Sequence, residues 1–256
     1  MHVNGYDMPS YNNETVRFEA MEEWRILASV AMLSVASAAD LKSRSVSDWL
    51  WVTFGIIAAA LYVTDFPSND RLPAIAASIA ITSALSFAVY KTGLFGGADA
   101  LALFVLSLLM PQYSGSFSMS GTPSTLFSLS VFVNALALSA CQILANVARN
   151  SASFLRHQDL FAGFETETAA RKAVAFMIGF RSANPAFSFP IEKNAGCGKK
   201  FDFALANAEE AEYEERRNIW VTPGIPFLLY LLVGFIVAIL AGDLVGLLAH
   251  AFFGAD

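Results

Sequence analysis

Two stretches decide how this chain is read: SVASAADLKSR at residues 34–44 and KTGLFGGADALALF at 91–104. Each carries one aspartate, Asp40 or Asp99, where a long apolar run meets a short basic or glycine-rich loop. A carboxylate that close to hydrocarbon is costly, and a pair of them marks a functional position by default. The apolar runs are not local accidents. Of the 256 residues 55% are hydrophobic and only 15% charged, with a mean hydropathy of +0.51. Such a balance excludes an ordinary soluble domain and implies an all-α polytopic membrane protein.

Working outward from the aspartates, the sequence offers six spans, each near the roughly 20 residues a helix needs to cross hydrocarbon. They run about Trp24 to Ala39, Trp49 to Val63, Leu72 to Tyr90, Ala98 to Met110, Leu126 to Val147 and Ile225 to Leu248. The fourth is short, opened by Gly96-Gly97 and stopped by Pro111. All lysines and arginines except Arg17, Arg25 and Arg71 fall after the first span, after the third, or between Arg149 and Arg217. Positive charge collects on the cytoplasmic side, so both termini are expected outside, and both aspartates near the cytoplasmic face of the cell membrane. Residues 1–22 form a polar extracellular tail with no removable leader pattern; 23–148 hold five spans, 149–219 a cytoplasmic soluble segment, and 220–256 the sixth span with an extracellular end.

In the soluble segment, AVAFMIGF, AFSFPI and FDFALA read as strands of a small antiparallel sheet, giving a small α+β unit between helices five and six. A polar helix from about Asn207 to Arg217 follows, made acidic by Glu209, Glu210, Glu212, Glu214 and Glu215. Two readings of that cluster stay open: a solvated face, or a docking surface for a basic peptide. Cys141 and Cys197 show no CxxC spacing, and the histidines at 2, 157 and 250 are dispersed. The sequence therefore calls for no metal site, no cofactor and no nucleic-acid partner; membrane lipids are the expected surroundings.

Two carboxyls a few ångströms apart cannot both ionise, so one takes a proton from water while the other, protonated, polarises a carbonyl. That is the chemistry of an aspartyl protease. Asp99 opens a helix, where the dipole favours a negative charge, and Asp40 closes one; this favours Asp99 as base and Asp40 as acid, although the pair titrates as a unit and Lys42 and Arg44 lie close in sequence. Gly96, Gly97 and Ala98 let backbone or substrate approach Asp99 closely.

At DLKSRSVSDWLW, FGGADALAL and VTPGIPFL the chain resembles the archaeal preflagellin (prearchaellin) peptidases, within the type IV prepilin peptidases and GxGD aspartyl proteases. The resemblance implies an endopeptidase that removes the short basic leader of archaellin or type IV pilin-like precursors, with Asp40 and Asp99 catalytic. Ala98 stands where GxGD has its second glycine. With no tetracysteine motif, no methyl transfer is expected. Pro223, Gly224 and Pro226 are expected either to break a helix and expose backbone beside the cavity or simply to end a helix, and Asn134 to bridge helices or orient an aspartate. Asp48 is expected to cap the second helix, and Asp243 to lie at an interface. A proton- or cation-coupled transporter and a non-catalytic membrane subunit of the archaellum or pilus machinery are the rival functions; the first should show inverted repeats, and the sequence shows none.

Overall fold

The computed structural model describes residues 11–93, 95–119, 123–157, 159–185, 187–195, 198–203 and 217–244. The chain is mostly helical. In order it forms α1 (Tyr11–Ser43), α2 (Asp48–Thr64), α3 (Leu72–Thr92), α4 (Gly97–Leu109), α5 (Phe127–Ser139), α6 (Cys141–Leu155), α7 (Ala169–Ile178), five short strands and α8 (Phe227–Ala241). Three segments are long and apolar enough to cross a membrane: Met21–Ser43, Leu72–Thr92 and Phe127–Leu155. The apolar helices α2, α4 and α8 are shorter, at 17, 13 and 15 residues. A 13-residue helix rises only about 20 Å.

Burial explains why so short a helix as α4 holds its place. It touches α1, α2, α3, α5 and α8, and Ala102, Leu103, Leu106 and Leu109 are fully or almost fully enclosed. Every face is apolar because every face meets protein or lipid. The helices α5 and α8 approach so closely that a Cβ on Gly234 would lie 2.8 Å from the Val131 carbonyl oxygen. Small residues permit such contact where lipid supplies no hydrophobic drive.

The expected fifth span is two helices, with Ala140 ending α5 and preceding α6. Its second part carries polar residues to the soluble unit: Asn150 donates to the carbonyls of Phe176 and Gly179 at 2.8 and 2.7 Å, and Asn146 to that of Met177 at 3.3 Å. At the other end of the chain, α1 starts at Tyr11 and carries helix into the polar stretch expected as a tail.

The soluble unit departs from expectation in its first element. AVAFMI is helical, in α7, and only Phe180 of that run enters a strand. Thr168 supplies the reason: its hydroxyl accepts from the Arg171 amide as an N-cap, and a short apolar run alone does not separate helix from strand. The strands are β1 (Phe180–Ser182), β2 (Ser188–Pro190), β3 (Glu192–Ala195), β4 (Gly198–Phe201) and β5 (Ile219–Pro223). The sheet runs β1-β5-β2, antiparallel throughout, beside a β3-β4 hairpin. Thus AFSFPI contributes β2, whereas of FDFALA only Phe201 is in a strand and residues from Ala204 lie outside the described ones. Trp220 of β5 is fully buried with Phe164 and Phe201, its Nε1 donating to the Leu160 carbonyl at 2.9 Å.

Candidate active site

Asp40 sits in the last turn of α1, three residues before its end, and Asp99 in the first turn of α4. Both are half-buried. The α1–α4 contact brings them close enough for the charge of Asp40 to act on Asp99, and the charge of Arg44 acts on both. The two carboxyls thus stand at the ends of two helices that touch.

Each carboxylate is held by a different device. Gly96, at the N-cap of α4, donates its amide to Asp99 Oδ2 at 3.1 Å; Asp99 lies three residues on, where a carboxylate can reach back to the N-cap amide. This leaves the other oxygen of Asp99 free of that bond. Gly97 and Ala98 fill the first turn between them. Asp40 is held from its own helix: Arg44 Nη1 lies 3.5 Å from Asp40 Oδ2, and the Arg44 amide donates to the Asp40 carbonyl at 2.9 Å.

Arg44 enters the sequence reading as a charge able to reverse the acid and base preference of the pair; its contact with Gly224 is what sequence reasoning did not foresee. Its φ of +54° places it in the left-handed region that ends many helices. Glycine adopts that conformation with less strain, so an arginine there costs stability in exchange for its side chain. That side chain donates to the Gly224 carbonyl at 2.8 Å and lies 5.5 Å from the Phe187 ring centre. The i, i+4 spacing from Asp40 was the available signal.

The proline-rich junction behaves partly as expected. Pro223 ends β5 and Pro226 is the N-cap residue of α8, so the backbone between them is outside both elements. Gly224 is wedged there: its amide donates to the Phe187 carbonyl at 2.9 Å, and a Cβ would stand 2.8 Å from that oxygen. Pro223 and Pro226 thus free the Gly224 carbonyl for Arg44.

Other expectations move elsewhere. Asn134 orients no aspartate; it bridges α5 to the end of α8, donating to the Gly242 carbonyl at 3.0 Å and accepting from the Leu244 amide at 2.8 Å. Asp48 is the first residue of α2, behind Ser47 at the N-cap, and no side chain caps that helix. Glu209, Glu210, Glu212, Glu214 and Glu215, like Cys197, lie outside the described residues. No cluster of metal-ligating side chains occurs among the described residues.

Comparison with known proteins gives the site its context. Residues 27–143 match the model of the type IV leader peptidase family, and residues 150–244 that of the archaeal peptidase A24 C-terminus, type II. The first match contains both aspartates and the second contains the sheet and all of α8. The chain is 25% identical to the preflagellin peptidase of Methanocaldococcus jannaschii, over 89% of this chain and 97% of that protein. It is 24% identical to the preflagellin peptidase of Methanococcus maripaludis, over 82% and 92% of the two chains. The Methanococcus voltae preflagellin peptidase is 21% identical over the same shares.

Proposed function

We propose that this chain, whose residues 27–143 match the type IV leader peptidase family model, is a membrane-embedded aspartyl endopeptidase with Asp40 and Asp99 as its catalytic pair. Its substrates are preflagellins (archaellin precursors) or type IV pilin-like precursors, from which it removes the short basic leader. The observation that carries this reading is the placement of two carboxyls on different, touching helices, Asp40 in the last turn of α1 and Asp99 in the first turn of α4. One shared proton suffices for the reaction. The ionised carboxyl takes a proton from water as its oxygen attacks the scissile carbonyl; the protonated carboxyl donates to the carbonyl oxygen, and the tetrahedral species collapses when the leaving nitrogen receives a proton. The Arg44 charge can reverse the acid and base preference argued from the helix ends, so the proton is assigned to the pair.

The geometry of the support fits a peptide substrate. Gly96 and Gly97 leave the backbone beside Asp99 open to an extended chain. The proposed arrangement has six spans, both termini outside, residues 149–219 cytoplasmic and the aspartates near the inner face, which would set the pair where a precursor's leader ends. Glu209, Glu210, Glu212, Glu214 and Glu215 are proposed to attract that leader. No methyl transfer accompanies cleavage.

The direct test incubates membranes containing the protein with a preflagellin and follows loss of the leader by gel shift. Absence of any cut across several leader-bearing precursors would remove the proposal. The topology is tested separately. With Cys141 and Cys197 replaced by serine, cysteines at Ser43 or Ser45 should label only from the cytoplasmic side, and one at Ser68 only from outside; the opposite pattern refutes it.

A further inference from the structure

Helix α6 is amphipathic in the sense opposite to that of a helix in water. Asn146 and Asn150, 3% and 1% exposed, turn inward onto the carbonyls of Phe176, Met177 and Gly179. On the other side run Cys141, Leu144, Ala148 and Leu155, all exposed, Leu144 by 68% and Leu155 by 78%. Their spacing of i, i+3, i+7 and i+14 makes one stripe along the helix, and Phe154 beside its end is 68% exposed. A surface helix of a soluble domain turns its apolar stripe to the core and its polar face outward; α6 does the reverse.

What covers the stripe follows from where α6 begins, directly after a membrane helix. Phe127–Leu155 is 29 residues of apolar helix; upright and straight it would rise about 43 Å, past a hydrocarbon core of about 30 Å, and lift Phe154 and Leu155 into water. The helix is not straight. The Ile143 amide donates to the Ala140 carbonyl, only three residues back, at 3.0 Å, and such a tightened turn interrupts the ladder where a helix axis changes direction. Before that turn α5 has 13 residues, as many as α4, on which it packs. After it, α6 packs on α7 and β1 of the soluble unit.

Charge narrows the surroundings further. The helix holds no acidic residue; Arg149 and, at its C-cap, Arg156 stand seven residues apart on one flank. Arg149 rests over the Phe180 ring, 4.0 Å from its centre, and neither arginine forms an ion pair among the described residues. An apolar stripe bordered by unpaired arginines matches acyl chains bordered by phosphates, since arginine lays its stem on apolar surface and keeps its charge among the headgroups. We propose that α6 lies in the plane of the membrane–water interface, with Leu144, Ala148 and Leu155 in the acyl chains and Arg149 and Arg156 at the phosphates of anionic lipids, and so seats the soluble unit on the bilayer. The proposal concerns how the chain sits in lipid and stands apart from the peptidase reading.

The test places the full chain in vesicles of phosphatidylcholine and phosphatidylglycerol with a fluorophore on a single cysteine. One protein keeps Cys141 and carries Cys197→Ser; another carries Cys141→Ser, Cys197→Ser and Leu155→Cys, which removes little packing because Leu155 is exposed. Thr166→Cys in the same serine background, at an exposed position of the soluble unit, is the aqueous control. Lipid-borne nitroxides at two depths report the height of each label. A helix in the plane puts the labels at 141 and 155 at the same depth, within about 5 Å, whereas an upright helix separates them by about 21 Å. The upright result, with the label at 155 open to aqueous iodide as the control is, would overturn the proposal. So would a label at 155 shielded from iodide yet untouched by the lipid nitroxides, since protein, a second copy of this chain included, would then cover the stripe. Arg149→Gln and Arg156→Gln should each raise the iodide-accessible fraction at 155 about fivefold in the mixed vesicles and leave it unchanged in phosphatidylcholine alone; an equal response in both lipids would overturn the phosphate contact. A photoactivatable lipid applied to the unaltered protein decides without any substitution: adducts on both Leu144 and Leu155 are expected, and adducts on Leu144 alone contradict the in-plane helix.

Discussion

Arg44 ties Gly224 to Asp40: its guanidinium donates to the Gly224 carbonyl at 2.8 Å and lies 3.5 Å from the Asp40 carboxylate. One side chain thus spans the end of α1 and the junction between β5 and α8. The soluble sheet and the helix α1 are joined in this way beside Asp40.

The first prediction follows from that joint. Arg44→Met removes the charge and both contacts while keeping an apolar stem, and should lower kcat/KM by about tenfold or more, the scale of a charged hydrogen bond. Arg44→Lys keeps the charge but loses the fork geometry and should fall between. Steady-state cleavage of a preflagellin by the two variants and the parent measures it; equal activity in all three contradicts it.

Gly224 carries the second prediction. A methyl group in Gly224→Ala would meet the Phe187 carbonyl oxygen at 2.8 Å, which is backbone and cannot swing aside. The junction must shift, costing about 1–3 kcal/mol and displacing the carbonyl that Arg44 uses. Gly55→Ala is the control, since nothing lies within 4 Å of the added Cβ; it should be neutral or slightly stabilising in a helix. Thermal unfolding in detergent, with activity measured alongside, separates the two.

Asn134 supports the fold and not the chemistry. Asn134→Ala strands the Gly242 carbonyl and the Leu244 amide that it satisfies, at a cost of about 1–3 kcal/mol. Its unfolding temperature should fall while kcat/KM below that temperature stays near the parent value. An activity loss without a stability loss would return Asn134 to a role at the aspartates.

What the sequence disclosed, and what it hid, follows from how locally each feature is determined. Asp40 and Asp99 were legible because a carboxylate beside an apolar run is anomalous on its own. Irregular backbone at Pro223, Gly224 and Pro226 was legible because proline restricts backbone wherever it occurs, but that Pro223 ends a strand and not a helix was hidden. The contact of Arg44 was not legible, because its partner Gly224 is 180 residues away and nothing local announces it. The helix α7 was misread as strand through its apolar run, though Thr168 before two alanines was a start signal. The strand β5 was missed because IWVT precedes a span, and only the buried Trp220 shows that it belongs to the soluble core.

The acidic cluster Glu209, Glu210, Glu212, Glu214 and Glu215 yields a prediction about affinity. Changing all five to glutamine should raise KM and flatten its dependence on salt while kcat stays nearly constant, as when uniform binding is removed. A KM that responds to salt as the parent's does would leave the cluster a solvated face.

The central claim is that both carboxyls act together, and the substitution that removes a titrating proton at constant volume tests it most directly. Asp40→Asn and Asp99→Asn, assayed for preflagellin cleavage in membranes where thermal unfolding shows the protein folded, should each lose activity by roughly a thousandfold or more. Cleavage near the parent rate by either folded variant would contradict the account.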